Sequence, residues 1–275
     1  MTPPPMRLCV LGSGSSGNAV AVEGPGGIVL IDAGFSPREV RRRMALRGLD
    51  PSEVRAIVLT HPDSDHLHGG WVRAAGGLAG LGGPRLRVRR RHCAEVCARG
   101  WHASWFDAYD GPFEAAGIRF DPMPIPHDAE GSTALRMTVG TRVAAHVTDC
   151  GRPVARLVDF LAGCDVLCIE SNHDPALQLA SGRPPHLIRR IMGGHGHLNN
   201  SQALETCLEV HRRHPLSMVA LLHLSRQCNC PAMVARLWQE RAPHLAARMV
   251  VTGQHDPSPI LEPRARPELA TLFDG

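Results

Sequence analysis

Residues His61-Pro62-Asp63-Ser64-Asp65-His66 place four metal-binding side chains directly behind the apolar run Ala56-Ile57-Val58-Leu59. Imidazoles and carboxylates together suit a divalent cation such as zinc, manganese or iron. An apolar strand cannot hold such groups in its buried interior, so they gather at its carboxyl end, where a loop can present them to an ion. Three more candidates follow other apolar strands: His127 after Met123-Pro124-Ile125-Pro126, Asp149 after Ala144-Ala145-His146-Val147-Thr148, and His223 after Val219-Ala220-Leu221-Leu222. In a chain with 16 histidines among 275 residues, any one of these reads as a cap or a chance polar residue. The hexapeptide and three strand ends together point to one metal site. His92, His102, His186, His211, His214 and His244 lie in arginine-rich or helical contexts and read as ordinary surface histidines.

The elements that position these residues follow from pattern. Residues 8–11 form a strand, 12–18 a glycine and serine turn, and 19–22 with 28–31 a hairpin around Pro25-Gly26-Gly27. Ser36-Pro37 caps and starts a helix running to about Arg47. After the motif strand come a helix over 67–79, an arginine-rich strand, and strands at 118–124, 134–139 and 143–147. Helices at 154–161 and 201–211 alternate with strands at 166–169 and 218–222. This order predicts an α/β protein with mixed sheets and helices outside them. With 43% hydrophobic residues in 275, one domain over 1–256 is expected, followed by a loose tail over 257–275.

Nine cysteines without regular pairing, and a start with three prolines but no basic region or long apolar segment, predict a cytoplasmic protein. The close pairs Cys93/Cys97, Cys164/Cys168 and Cys228/Cys230 lack zinc-knuckle spacing and read as buried small apolar residues. No apolar stretch reaches the ~20 residues of a membrane span. A formal charge of +4, carried by 30 arginines and no lysine, permits an anionic partner. The densest cluster, Arg85, Arg87, Arg89, Arg90 and Arg91, reads equally as a solvated strand face or a nucleic-acid patch.

With these residues in place the chain resembles the metallo-β-lactamase fold family, an αββα sandwich whose ligands arrive in this order. Within it the chain is similar to the YycJ/WalJ group of cytoplasmic bacterial proteins regarded as DNA exonucleases. The shared stretches are Gly12-Ser13-Gly14-Ser15-Ser16-Gly17-Asn18, Ile31-Asp32-Ala33-Gly34, Glu170-Ser171-Asn172-His173-Asp174, Gly196-His197-Leu198 with Asn200, and His223-Leu224-Ser225 with Asn229. The resemblance implies one metal on His61, Asp63 and His127, a second on Asp65, His66 and His223, and Asp149 bridging them. Asp63 departs from the pattern, which usually has histidine there. A carboxylate shifts preference toward manganese or iron while leaving zinc open, and its shorter reach leaves open whether one or two metals bind. Carboxylates at this position also occur in ComEC-type DNA-uptake nucleases and flavodiiron oxygen reductases of the same fold.

The expected chemistry is attack of activated water on phosphorus. Asp65 is expected to orient that water and Asp149 to hold the cations. His197, preferred over His195 because it falls in the Gly-His-Leu pattern, is expected with Asn200 to stabilise phosphoryl charge. Asp32 is expected to orient a ligand histidine from behind. Asn172 falls in a shared stretch, while Ser225, Arg226 and Asn229 either meet substrate phosphates or stabilise their loop. The leading reading is a DNA phosphodiesterase. Hydrolysis of a small ester, thioester or lactone, diiron redox chemistry, and metal binding without catalysis are the alternatives.

Overall fold

The computed structural model describes residues 6–73 and 84–264. One sheet contains β1 (Arg7–Gly12), β2 (Ala19–Gly24), β3 (Gly27–Ile31), β4 (Val54–Val58), β5 (Arg85–Arg89) and β6 (Phe106–Tyr109), in that spatial order. The other contains β7 (Phe113–Ala115), β8 (Ile118–Ile125), β9 (Ser132–Val139), β10 (Arg142–Val147), β11 (Val166–Glu170), β12 (Met218–Leu222) and β13 (Met249–Val251), again in chain order. Antiparallel pairing through β1, β2 and β3 gives way to parallel pairing from β3 to β6. The second sheet likewise begins antiparallel and becomes parallel from β10 to β13.

Strand alternation explains why these sheets need four layers. In β3, Val29 and Ile31 face a central core that also contains Phe120, Met137, Val166 and Leu222, while Ile28 and Leu30 face outward. In β10, Ala144 faces the centre, whereas Val143, Ala145 and Val147 point the other way. Two-sided strands must be covered on both faces. The helix α1 (Pro37–Ala45) brings Val40 and Met44 to the outer face of the first sheet, and α2 (Cys93–Ala98) adds Val96. The second sheet is covered by α3 (Ala155–Leu161), α6 (Asn200–Arg213), α7 (Pro231–Arg241) and α8 (Pro243–Ala246), through Leu157, Leu204, Val234 and Leu245 among others. Between α3 and α6 lie α4 (Pro175–Leu179) and α5 (Pro185–Met192). The result is the expected αββα sandwich.

Local signals place the elements well. Ser36 accepts from the Glu39 amide at the start of α1, and Asn199 and Gln202 form a reciprocal capping box at α6. The helix expected over 67–79 is helical at 70–73, and its remainder lies outside the described residues. The expected loose tail is corrected at its beginning. Leu261 is fully buried and exchanges two 2.8 Å backbone hydrogen bonds with Leu8, and Ser258 N–H donates to Val10 O. Burial of Leu261 ties 257–261 to the edge strand β1; residues 265–275 lie outside the described residues.

The cysteines form no disulfide among the described residues. Cys164, Cys168 and Cys228 are buried as expected, but Cys97 and Cys230 are exposed and Cys93 is half-buried. The surface reading of His92 is also corrected, because its ring is buried with neither nitrogen hydrogen-bonded. No helix among the described residues is long and apolar enough to cross a membrane.

The side chain of His146 on β10 is likewise buried, with neither ring nitrogen partnered, and burial pushes its pKa down to about 4. The unfolded chain therefore binds a proton that the folded chain refuses, and stability falls as pH drops from 6.5 toward 4. Replacing His146 with leucine should remove about 3 kcal/mol of that acid-dependent loss. Melting curves of both proteins across this window, with chelator present to remove any contribution from metal release, would test it. Curves that run parallel would refute the assignment.

Candidate metal centre

The carboxyl ends of β3, β4, β8, β10, β11 and β12 open onto one edge of the sandwich, where the chain turns sharply. Asp32 follows β3 with φ 59°, Asp149 follows β10 with φ 50°, and His223 follows β12 with φ 54°. These are left-handed conformations that side chains other than glycine rarely adopt. Each reverses the chain within a residue or two of a buried strand, so that a polar side chain points along the edge.

Four imidazoles converge there. Their ring centroids lie 4.1 Å apart for His61 and His66, 5.0 Å for His61 and His127, and 5.9 Å for His66 and His223. Every one has its Nδ1 engaged by the protein. His66 Nδ1 is 2.7 Å from Asp32 Oδ2, and His127 Nδ1 is 2.9 Å from Gly196 O. His61 Nδ1 is 3.0 Å from Thr60 Oγ1, and His223 Nδ1 is 3.2 Å from Glu170 Oε1. Fixing Nδ1 leaves Nε2 as the atom each ring offers to a ligand, the arrangement that orients imidazoles toward a metal. His61 Nε2 is buried with no hydrogen-bond partner.

Carboxylates fill the space between. Asp149 lies 3.0 Å from His66 Nε2 and 3.9 Å from His127 Nε2, and 3.5 Å from His223 Nδ1. Asp65 Oδ2 is 3.4 Å from His223 Nε2, and Asp63 Oδ2 is 3.7 Å from His61 Nε2. The side chains fall into triads, His61 with Asp63 and His127, and Asp65 with His66 and His223, each able to hold one cation. His61, His66 and Asp149 form another such group, and Asp149, Glu170, His197 and His223 a further one.

Electrostatics explains why the donor set suits a cation. Burial disfavours charge at His66, yet Asp149 and Asp32 outweigh it and hold the imidazole well above its ordinary pKa. Burial is likewise outweighed at His223 by Asp149, Asp65 and Glu170, which raise it to about 10. The same opposition at Asp149 leaves its carboxyl far below the usual range because of His223 and His66. His61 is pushed the other way, well below its ordinary value, by burial and by His66. Protons on some of these rings neutralise the carboxylates in a metal-free cluster, and a divalent cation does the same without protonating the ligand atoms.

The supporting residues divide by what they touch. Asp32 accepts from Thr60 N–H at 2.8 Å as well as facing His66, so it holds both the loop and a ring. Asn172 donates to His223 O at 2.8 Å. Asn200 is buried, and its amide accepts from Ser171 Oγ at 2.7 Å and donates to Asn229 Oδ1 at 3.1 Å. Asn229 in turn donates to Ser171 O and Asn172 O, and Ser225 Oγ accepts from Cys228 N–H, so both hold loops. Arg226 is exposed beside this loop. His197 lies among the cluster, 3.3 Å from Asp149 and 2.6 Å from Glu170, whereas His195 is exposed and contributes its backbone carbonyl to Asp128 N–H.

Two contributors are missing from the sequence reading. Glu170, at the end of β11, is fully buried and accepts from His197 and His223 Nδ1 and from the Cys150 and Leu198 amides. The strand-end rule that found Asp149 and His223 applies equally to it. Asn18, closing the glycine and serine turn, lies 3.1 Å from His66 Nε2 and 3.3 Å from Asp65 Oδ2. Gly34 lets this turn and the hexapeptide meet, since a Cβ there would stand 1.8 Å from Asp65 O.

The profile of the β-lactamase superfamily domain matches residues 28–223, more than half of the chain. The protein belongs to the β-lactamase superfamily. Among curated members, the exodeoxyribonuclease WalJ of Streptococcus pneumoniae is 26% identical over 237 residues, spanning 81% of this chain and 83% of its own. The exodeoxyribonuclease YycJ of Bacillus anthracis is 28% identical over 213 residues, spanning 72% and 75%. The chain is therefore a WalJ/YycJ-like member of the superfamily. In fold it is similar to YhfI from Bacillus subtilis, with a TM-score of 0.67 at 16% identity over 94% of this chain and 100% of that one. Zn²⁺-bound PqqB from Methylobacterium extorquens gives 0.66 at 16% identity over 92% and 99%.

Because Glu170 touches two rings of this superfamily site, replacing it with glutamine should lower divalent-metal affinity about 10–100-fold without unfolding the protein. Competition against a chromogenic chelator would measure it. Unchanged affinity would mean that Glu170 only packs the strand end.

Proposed function

We propose that the protein is a metal-dependent phosphodiesterase that cleaves a nucleic-acid strand, DNA before RNA, as an exonuclease in the cytoplasm. The observation that carries the reading is the convergence of four Nδ1-anchored imidazoles on Asp149, with Asp63 and Asp65 beside them. Named exodeoxyribonucleases that align over most of this chain supply the substrate class.

In this reading His61, Asp63 and His127 would hold one divalent cation, Asp65, His66 and His223 would hold a second, and Asp149 would serve as a ligand between the two sets. When bound, such ions supply Lewis acidity that activates water at neutral pH and neutralises phosphate charge. Zinc or manganese fits the donors, and the hard Asp63 oxygen also admits iron. Asp65 orients the attacking water by accepting one of its protons. His197, whose Nδ1–H is held by Glu170, would donate from Nε2 to a phosphoryl oxygen in its doubly protonated form, with Glu170 as counter-ion, as negative charge builds. The P–O bond opposite the incoming oxygen breaks, its electron pair stays on the leaving sugar oxygen, and that oxygen takes a proton from solvent to become the hydroxyl of the second product.

Metal-stripped protein should regain cleavage of end-labelled DNA when one of zinc, manganese, magnesium or iron is restored, and Asp149→Ala or His66→Ala should abolish it while remaining folded. Parallel single-stranded, double-stranded and RNA substrates rank the preferences. Full activity in either variant would sink the site assignment. Tight metal binding without cleavage of any strand would move the reading to a small ester, thioester or lactone hydrolase.

A further inference from the structure

The arginines around the centre differ in whether their charge is already spent. On the β5 face, Arg85 and Arg87 pair with Asp107 at 2.5 and 3.0 Å, Arg90 with Asp110 at 2.9 Å, and Arg91 with Glu130 at 3.0 Å. Nearer the Asp63 side of the centre, Arg99 pairs with Glu95 at 2.7 Å and Arg190 pairs with Asp128. Four of the five arginines of this cluster are therefore ion-paired, with Asp107 shared by two of them, while Arg89 has no ion pair among the described residues and its Nη1 is buried without a hydrogen-bond partner.

The opposite side differs. A groove lined by Ser15, Ser16, Arg183, Ser225, Arg226 and Gln227 lies beside the loop that follows His223. Arg226 is exposed and makes no ion pair or hydrogen bond among the described residues. Arg183 donates to Gln227 Oε1 at 3.0 Å and Gln178 Oε1 at 3.2 Å, neutral amide oxygens that aim the guanidinium without cancelling its charge. The facing wall is rigid. Ser16 N–H donates to Gln254 Oε1 at 2.9 Å, Gln254 Nε2 donates to Gly17 O at 2.8 Å, and Arg43 holds Gln254 O at 2.9 Å. The same turn reaches the centre, since Ser13 Oγ accepts from His223 N–H at 2.8 Å and Asn18 touches Asp65. Two unneutralised guanidinium groups opposite two serines, on a preset loop, are the chemistry of a phosphate site.

We propose that this groove binds a backbone phosphate of the strand next to the one being cleaved, so that the strand leaves the metal centre toward Arg183 and Arg226. The proposal rests on the phosphodiesterase reading and adds to it a direction. On the Asp63 side, Glu95, Asp128 and Glu130 pair with Arg99, Arg190 and Arg91, so a continuing polyanion would meet these carboxylates beside each of those guanidinium groups.

The test is binding of a short fluorescent thymidine oligonucleotide with slowly cleaved phosphorothioate linkages to the metal-loaded full chain, by anisotropy over a salt series. Arg183→Gln combined with Arg226→Gln should weaken binding at least about tenfold and reduce the salt slope by about 0.7, one single-strand phosphate contact. Arg226→Gln alone, which removes no contact of the fold, should give about half that slope change. Arg90→Gln combined with Arg91→Gln should change neither. Unchanged affinity and slope in the groove variants, or an equal loss in the β5-face variant, would overturn the groove. Failure of the hydrolytic reading looks different: an unmodified strand would bind with this salt dependence and remain uncut.

Discussion

Burying ionisable groups beside one another costs free energy unless each charge finds a counter-charge, and this edge of the sandwich buries six within a few ångströms: His61, His66, His127, Asp149, Glu170 and His223. Much of the surrounding structure serves to keep them from escaping that arrangement. Asp32, Thr60 and Gly196 O each hold one imidazole by Nδ1, and Glu170 holds two, those of His197 and His223. The loops bearing those anchors are themselves held by Asn172, Asn200 and Asn229 through amide contacts. The two sheets provide the rigid base, because their parallel strands deliver every site residue from a carboxyl end to the same edge.

How much of this can be read from the chain depends on range. The hexapeptide, the strand ends and the helix caps are signals within about ten residues, and they locate the sandwich and its candidate ligands. Which triad each ligand joins depends on strands far apart in sequence, and only the family pattern supplied it. Asn200 illustrates the limit: its position beside Gly196-His197-Leu198 suggests a substrate contact, while its partners Ser171 and Asn229 come from distant loops. His92 looks like a surface residue because arginines flank it, yet its ring turns inward. Glu170 was visible in principle, as a charged residue closing an apolar strand.

Charge composition misleads for a related reason. Counting arginines picks out 85–91, where they are densest, but Asp107, Asp110 and Glu130 come from later elements to pair with four of those five. The sparse pair Arg183 and Arg226 keeps its charge because its nearest partners are amides or solvent. Electrostatic recognition is governed by charge left over after folding, not by the count of cations.

The left-handed strand ends carry a cost of their own. Asp32, Asp149 and His223 occupy backbone conformations worth on the order of 1 kcal/mol or more of strain each, so the most functional positions are also among the least comfortable ones. A lineage relieved of the need to hold metal would gain stability by placing glycine or asparagine there, and the sandwich would persist without its chemistry. Loss of function in this architecture is thus a downhill step for folding, and non-catalytic descendants should be recognisable by glycine or asparagine at these three turns before their cores change.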